Sequence, residues 1–365
     1  MTDIDQRFMH HALMLARRGL GRVAPNPAVG CVLVRDDVIV GRGWTQPSGR
    51  PHAETIALEA AGKAANGATA YVTLEPCAHH GETGPCAEAL VAAGVARVVI
   101  AIADPDPRVE GRGAEILRSA GIEVVVGVRE AEALSLNRGF FSRITKARPM
   151  FTLKVATRPD GSMETRDGAD RWITGDEARD VGHMLRATHD AILVGISTVL
   201  TDDPSLDCRL EGLEDCSPIR IVMDSQGQLP ASSKLAVTAR NAPTWLITAT
   251  ENDNLLELRK QGVRVITVSD CRNMIEVAAL LANEGLTRVL VEGGAKVHSA
   301  FMEADMADDL MWFRADGSDH DDLSGVIAVF DQMGLAPRAV FAHTVGQDVG
   351  SDRLERFTRE ESKED

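Results

Sequence analysis

Pro51-His52-Ala53-Glu54, answered downstream by Glu75-Pro76-Cys77 and Pro85-Cys86, decides how this chain of 365 residues is read. The first four of these residues supply one imidazole and one free carboxylate, and the downstream pieces supply two thiols. A His/Cys/Cys set of protein ligands suits a catalytic zinc, because a tetrahedral ion then keeps its fourth position for water. Zinc held in this way makes hydroxide available near neutral pH. Glu54 lies two positions beyond His52 and is not needed as a ligand. A carboxylate beside the site can take a proton and pass it to a leaving amine.

The flanking residues support this reading. Pro85-Cys86 followed by an alanine-rich run to Gly94 reads as a short helix, with proline at its start and glycine just past its end. A cysteine in the first helical turn feels the positive end of the dipole, which favours the thiolate. Ala53 to Ala65 reads as a second helix, opened by His52 and Glu54. A lone His-x-Glu means little, and two Pro-Cys pairs could be structural thiols at helix starts. Here order, residue types and flanking elements agree on hydrolytic deamination, whose signature is His-x-Glu followed by Pro-Cys and a further Cys. A structural zinc would take four protein ligands. His79 and His80, between the cysteines, are candidates for a fourth, but are read as lining the pocket.

The length is ample for two domains, and 44% hydrophobic residues is ordinary for a globular chain. The net charge of −15 comes from 39 basic and 54 acidic side chains, with no Lys/Arg-rich run. That argues against nucleic acid as a partner, since phosphate backbones demand a basic surface. Six cysteines in a chain this long do not make a disulfide scaffold. No signal peptide is visible before Arg22, and no apolar run approaches membrane-spanning length. A cytoplasmic protein with no membrane partner is the expectation.

In order along the chain, a helix is expected over Ile4 to Gly19, then a proline-flanked turn at Asn26. Strands follow over Val29 to Val34 and Val38 to Gly43, joined through Asp36-Asp37. Ala70 to Leu74, Ala96 to Ala103 and Ile122 to Val126 read as strands, and Arg112 to Ala120 as a helix. This alternation predicts an α/β layered domain. Phe140 to Pro149, with its basic run, reads as a seam, giving a first domain over residues 1–146 and a second over 147–350. In the second, strands are expected at Phe151 to Ala156, Ala191 to Val194, Ile219 to Asp224, Thr244 to Thr248, Val263 to Val268 and Arg288 to Glu292. Helices are expected at Gly175 to Arg186 and Met274 to Glu284. Residues 351–365 are strongly charged and read as a solvated or disordered tail.

A second site is expected where the strand ending at Glu292 runs into Gly293-Gly294-Ala295-Lys296 and an apolar helix. Backbone amides and the helix dipole would face a phosphate there. Lys154, Asp160-Gly161, Trp172-Ile173-Thr174, Arg209 and Asp224-Ser225 gather at strand ends, where α/β folds bind ligands. Thr198 to Pro204 reads as a polar loop.

These residues are recognisable together. Residues 1 to about 315 resemble the bifunctional deaminase–reductase family of riboflavin biosynthesis. In the first half the likeness rests on Asn26-Pro27, Pro51-His52-Ala53-Glu54, Thr73-Leu74-Glu75-Pro76-Cys77, His79-His80-Gly81, Pro85-Cys86 and Asp104-Pro105. In the second it rests on Leu153-Lys154, Trp172-Ile173-Thr174, Leu185-Arg186, Asp202-Asp203-Pro204, Arg209 and Val291-Glu292-Gly293-Gly294. The resemblance implies a cytidine-deaminase-like, three-layer N-terminal domain and a dihydrofolate-reductase-like C-terminal domain. It implies deamination of a diaminopyrimidinone ribosylamine 5′-phosphate, then reduction of the ribosyl group to ribityl with NADPH, in a homo-oligomer, dimer or tetramer. By carry-over, His52, Cys77 and Cys86 hold zinc and Glu54 shuttles protons. Ala156, Trp172, Thr198, Asp202, Ser225 and Gly293, Gly294, Ala295 and Lys296 would contact NADPH. Asn26, His79, Lys154, Asp170, Arg186, Leu206, Arg209 and Glu292 would contact the small-molecule pyrimidine phosphate.

The chain departs from the pattern at Glu82, where the family carries a basic residue, and at Arg158-Pro159 and Asp170. The alternative these departures raise is a zinc deaminase whose C-terminal domain is catalytically idle.

Overall fold

The computed structural model describes residues 2–79, 84–106, 109–159, 162, 172–315 and 341–360. The chain divides into two compact units, Met1–Arg148 and Pro149–Asp365. Among the described residues the strands form one sheet of five and one of nine.

The first unit opens with α1 (Asp3–Ala16), whose start is fixed by a reciprocal cap: Asp5 N–H donates to Thr2 Oγ1, and Thr2 N–H donates back to the Asp5 carboxylate. β1 (Gly30–Arg35) and β2 (Val38–Trp44) follow. Their hairpin turns through Asp36 and Asp37 at φ +50 and +60, a conformation that aspartate tolerates better than most residues. Then come α2 (Ala53–Ala61), β3 (Thr69–Val72), α3 (Cys86–Ala92), β4 (Arg97–Ile100), α4 (Arg112–Ser119), β5 (Glu123–Val126) and α5 (Glu130–Lys146). The sheet order is β2-β1-β3-β4-β5. β1 is antiparallel to both its neighbours, and β3, β4 and β5 are parallel.

Register puts helices on both faces. Gly30 pairs with Trp44 and Cys31 with Gly43, so the two glycines point to opposite sides. A Cβ on Gly30 would lie 1.9 Å from Ala12 O in α1, and one on Gly43 would lie 2.3 Å from Ala53 O in α2. The backbones approach too closely there for any side chain, and the result is three layers around a core of Val32, Leu33, Val72, Val99 and Ile100.

The second unit runs β6 (Met150–Thr157), α6 (Asp176–Ala187), β7 (Ala191–Gly195), α7 (Ile196–Asp202), β8 (Ile219–Met223), α8 (Lys234–Val237), β9 (Thr244–Thr248) and α9 (Asp253–Gln261). It continues with β10 (Arg264–Thr267), α10 (Met274–Asn283), β11 (Arg288–Val291), α11 (Ala295–Glu303), β12 (Asp309–Arg314), β13 (Phe341–Val349) and β14 (Asp352–Arg359). The strand order is β10-β9-β8-β7-β11-β6-β12-β14-β13. It is parallel from β10 to β12, with β14 antiparallel to both β12 and β13. Two separate apolar layers, one around Leu153 and Phe301 and one around Val194 and Leu246, cover its faces, as a parallel sheet requires.

Three expectations are corrected. The reading of 351–365 as a solvated tail fails over Asp352–Arg359, which is a strand inside the sheet with Leu354 and Phe357 buried. Its charges are neutralised in place: Glu355 meets Arg314, and Arg356 meets Asp309 at 2.7 Å. The polar loop expected from Thr198 is instead the helix α7, ending at Asp203 in the left-handed region. The seam begins later than Phe140, because residues 140–146 complete α5.

Candidate active sites

In the first unit, His52 is the residue before α2, Cys86 opens α3, and Cys77 stands in the loop after β3. His52 Nδ1 lies 3.3 Å from Cys86 Sγ and 3.7 Å from Cys77 Sγ, and Cys86 N–H donates to Cys77 Sγ at 3.3 Å. The three candidate ligand atoms lie within 4.8 Å of one another. Ligands of a tetrahedral zinc at ordinary bond lengths sit roughly 3.5–3.8 Å apart, so the donor set fits the ion in both spacing and type. The side-chain contact between the two sulfurs holds the Cys77 thiol well below its ordinary range and pushes Cys86 up. A zinc ion bound here would displace the thiol protons, since thiolates are the metal ligands.

Glu54 is buried in the first turn of α2. Burial pushes its carboxyl up to about 7, with the nearby Cys77 charge adding to the effect. Glu75 serves a different purpose. Its carboxylate accepts from Gly111 N–H and Ala114 N–H, both at 3.0 Å, and so fastens the start of α4 to the Cys77 loop. A Cβ on Gly113 would lie 2.0 Å from Pro76 O.

A cavity of about 240 Å³ opens on this cluster, and Asn26 and His79 line it as the sequence predicts. Asn26 is set by Gly49, which has φ +86 and whose Cβ would fall 1.8 Å from Asn26 Nδ2; only glycine suits both demands. Arg50, Arg143, Asp104 and Asp106 also line the cavity. Of these, Asp106 and the two arginines escape sequence reasoning. Arg50 adjoins the motif without belonging to it, and Arg143 sits in the basic run read as a seam. Glu82 and His80 lie outside the described residues.

In the second unit a larger cavity, about 740 Å³, opens where β6, β7 and β11 end. It brings together Lys154, Ala156, Trp172, Thr198, Asp202 and Leu206. Arg186, Arg209, Glu292, Gly293, Gly294 and Ala295 also line it. Ser225 and Lys296 are not on it, and Asp170, Asp160 and Gly161 lie outside the described residues. Lys234 of α8 lines the cavity and was not expected; nothing in its sequence surroundings marks it.

Arg186 and Glu292 form a two-pronged pair, both bonds 2.9 Å, and Arg186 Nη1 also donates to Asp207 O. Burial raises the Glu292 carboxyl, but the charges of Arg186 and Lys154 outweigh it and leave it at about 2. Lys154 is lowered, chiefly by burial. Gly294 precedes α11 without a side-chain cap, and a Cβ on it would meet nothing within 4 Å. Gly293 differs, because its Cβ would press to 2.6 Å of Val297 Cβ. The open space before a helix start suits the diphosphate of NADPH.

Residues 149–315 match the RibD C-terminal domain, and residues 2–102 match the cytidine and deoxycytidylate deaminase zinc-binding region. The riboflavin biosynthesis protein RibD of Aquifex aeolicus is 43% identical over 315 residues, covering 86% of this chain and 88% of its own. That of Escherichia coli is 38% identical over 363 residues, covering 94% and 98%. The solved structure of Acinetobacter baumannii RibD superposes with a TM-score of 0.83 at 34% identity, covering 98% of this chain and 99% of that one. The N-terminal unit is therefore cytidine-deaminase-like, the C-terminal unit is a RibD reductase domain, and the chain belongs to the bifunctional deaminase–reductase family of riboflavin biosynthesis, with zinc and NADPH as cofactors.

Proposed function

We propose that the first unit removes the 2-amino group of 2,5-diamino-6-(5-phosphoribosylamino)pyrimidin-4-one as ammonia. The second unit then reduces the ribosyl group of the product to ribityl. The observation that carries the first step is the convergence of His52, Cys77 and Cys86 beside the buried Glu54. Zinc, when bound, activates water as a nucleophile. Glu54, buried beside these ligands, is placed to take a proton from the water and pass it to the leaving amine. Asn26 and His79 meet the pyrimidine from the cavity wall.

In the second unit Gly293, Gly294 and Ala295 receive the diphosphate of NADPH. Ala156, Trp172, Thr198 and Asp202 take the rest of the cofactor, while Ser225 and Lys296, expected beside them, do not line the cavity. Lys154, Asp170, Arg186, Leu206, Arg209 and Glu292 contact the pyrimidine phosphate substrate. The Arg186–Glu292 pair keeps Glu292 ionised and fixed in place, so that it accepts hydrogen bonds from the sugar hydroxyls. Nothing favours an idle C-terminal unit, whose cavity gathers most of the expected residues. The deaminase domain runs to about Arg148 and the reductase domain includes β14.

The same reading takes the protein as a cytoplasmic homo-oligomer, dimer or tetramer, without a nucleic-acid partner. Among the described residues no helix is long and apolar enough to cross a membrane. The test is ammonia release and NADPH oxidation by the zinc-loaded chain given the phosphorylated diaminopyrimidinone. Absence of both activities would refute the assignment.

A further inference from the structure

The deaminase cavity needs a cation for the far end of its substrate. The reading above places a pyrimidine at the zinc ligands, and that pyrimidine carries a ribose 5-phosphate. A phosphate monoester is close to dianionic at neutral pH. The chain as a whole carries −15 and offers such a ligand no general attraction. The attraction must therefore be local.

Two arginines line the cavity, from two different elements. Arg50 is the extended residue after a short 3₁₀ turn and directly precedes Pro51-His52. Arg143 stands on α5, where Phe140, Arg143 and Ile144 all line the same cavity. Spacings of three and four residues put these side chains on one helix face. α5 thus presents an apolar wall with one guanidinium in it. Both arginines are half-buried, so water screens them less than surface cations. The acidic residues of the cavity are Glu54, Glu75, Asp104 and Asp106. Glu75 is engaged by backbone N–H groups, and Asp104 Oδ1 accepts from Asp106 N–H at 2.9 Å.

We propose that Arg50 and Arg143 together bind the 5′-phosphate of the deaminase substrate, and that this pair sets the preference of the first site for a phosphorylated ribosylaminopyrimidine. The inference rests on the deaminase reading. Guanidinium groups suit the task because they bond phosphate oxygens two at a time and stay charged at any working pH.

The experiment measures ammonia release by the zinc-loaded full chain from the phosphate ester and from its dephosphorylated counterpart. Wild type is expected to favour the ester. Arg143→Gln and Arg50→Gln should each raise KM for the ester by about ten- to hundred-fold, the usual worth of a charge-assisted bond. They should also collapse the preference, and Arg143→Lys should restore part of it. Inorganic phosphate, used alone as a probe, should compete with the ester in wild type and at least tenfold more weakly in the double variant. Zinc content checks that each variant retains its site. A variant that keeps zinc and the full preference overturns the arginine assignment alone, as does phosphate inhibition that the double variant leaves unchanged. A wild-type chain that releases no ammonia from either compound overturns the deaminase reading and this inference with it.

Discussion

Asn137 holds Ala28 with both ends of its amide. Ala28 N–H donates to Asn137 Oδ1 at 2.9 Å, and Asn137 Nδ2 donates to Ala28 O at 3.0 Å. The two residues are 109 positions apart, and Asn137 is 3% exposed. Asn137 also departs from helical geometry inside α5, at φ −102 and ψ 16. The clasp joins the loop that bears Asn26 to the helix that bears Arg143, two walls of one cavity. Asn137→Ala would leave a buried N–H and C=O unpaired, at a cost of about 2–4 kcal/mol. Urea unfolding followed in the first unit checks this, and an unchanged midpoint would show that the clasp adds nothing.

Cys77→Ser should lose zinc and ammonia release together. The remaining imidazole and thiol leave an ion with too few strong ligands. Metal analysis of the purified variant decides it, because a full equivalent of zinc would remove Cys77 from the ligand set. Chelator treatment of wild type should give the same loss, reversed by added zinc.

Glu54→Gln should keep its zinc and lose turnover by roughly two to four orders of magnitude, the worth of a positioned acid and base. Glutamine fills the same buried space without the proton. A variant with near-normal ammonia release would leave Glu54 without that role.

Gly294→Leu should abolish NADPH oxidation while ammonia release continues. A Cβ at 294 meets nothing within 4 Å, and the backbone there has φ −73. The variant should therefore melt like wild type, and its defect would lie in the cofactor alone. Gly293→Leu is the contrasting case, because its side chain collides with Val297; it should lower the melting temperature. Unimpaired NADPH oxidation in Gly294→Leu would take the cofactor away from this loop.

The Glu292 carboxyl predicts a pH dependence. Its pKa is about 2 in the fold, against an unfolded value near 4.3. Between these values the unfolded chain holds more protons, so this part of the stability is complete above the unfolded value and is lost as pH falls through the folded one. Glu292→Gln should remove that acid-limb slope and destabilise the second unit by on the order of 3 kcal/mol, since Arg186 loses its partner. Acid titration of unfolding in both proteins checks it; identical slopes would contradict the pairing.

What could be read from the sequence follows from how local each signal is. The zinc cluster was legible because His52, Glu54, Cys77 and Cys86 carry their chemistry in their type and order. Most strands were legible because buried parallel strands are continuous apolar runs. α7 was missed because Thr198 to Asp202 is short and polar, and packing on the sheet overrides its weak propensity. Arg143 was missed because a basic run looks alike in a linker and along the last turns of a helix. β14 was missed because Arg353, Glu355 and Arg356 look solvated until Arg314 and Asp309, far back in the chain, pair with them.

The position of β14 bears on how the chain is made. Every strand of the first sheet has been synthesised once residue 126 is joined, so that half can close while the ribosome is still adding the rest. The second sheet cannot. β14 is inserted between β12 and β13, and until residues 352–359 leave the exit tunnel β12 stands with one side unpaired. A nascent chain stalled at residue 350 should yield a protease-resistant first half and a protease-sensitive second. A truncation that removes residues 352–359 would take a strand out of the interior of the second sheet.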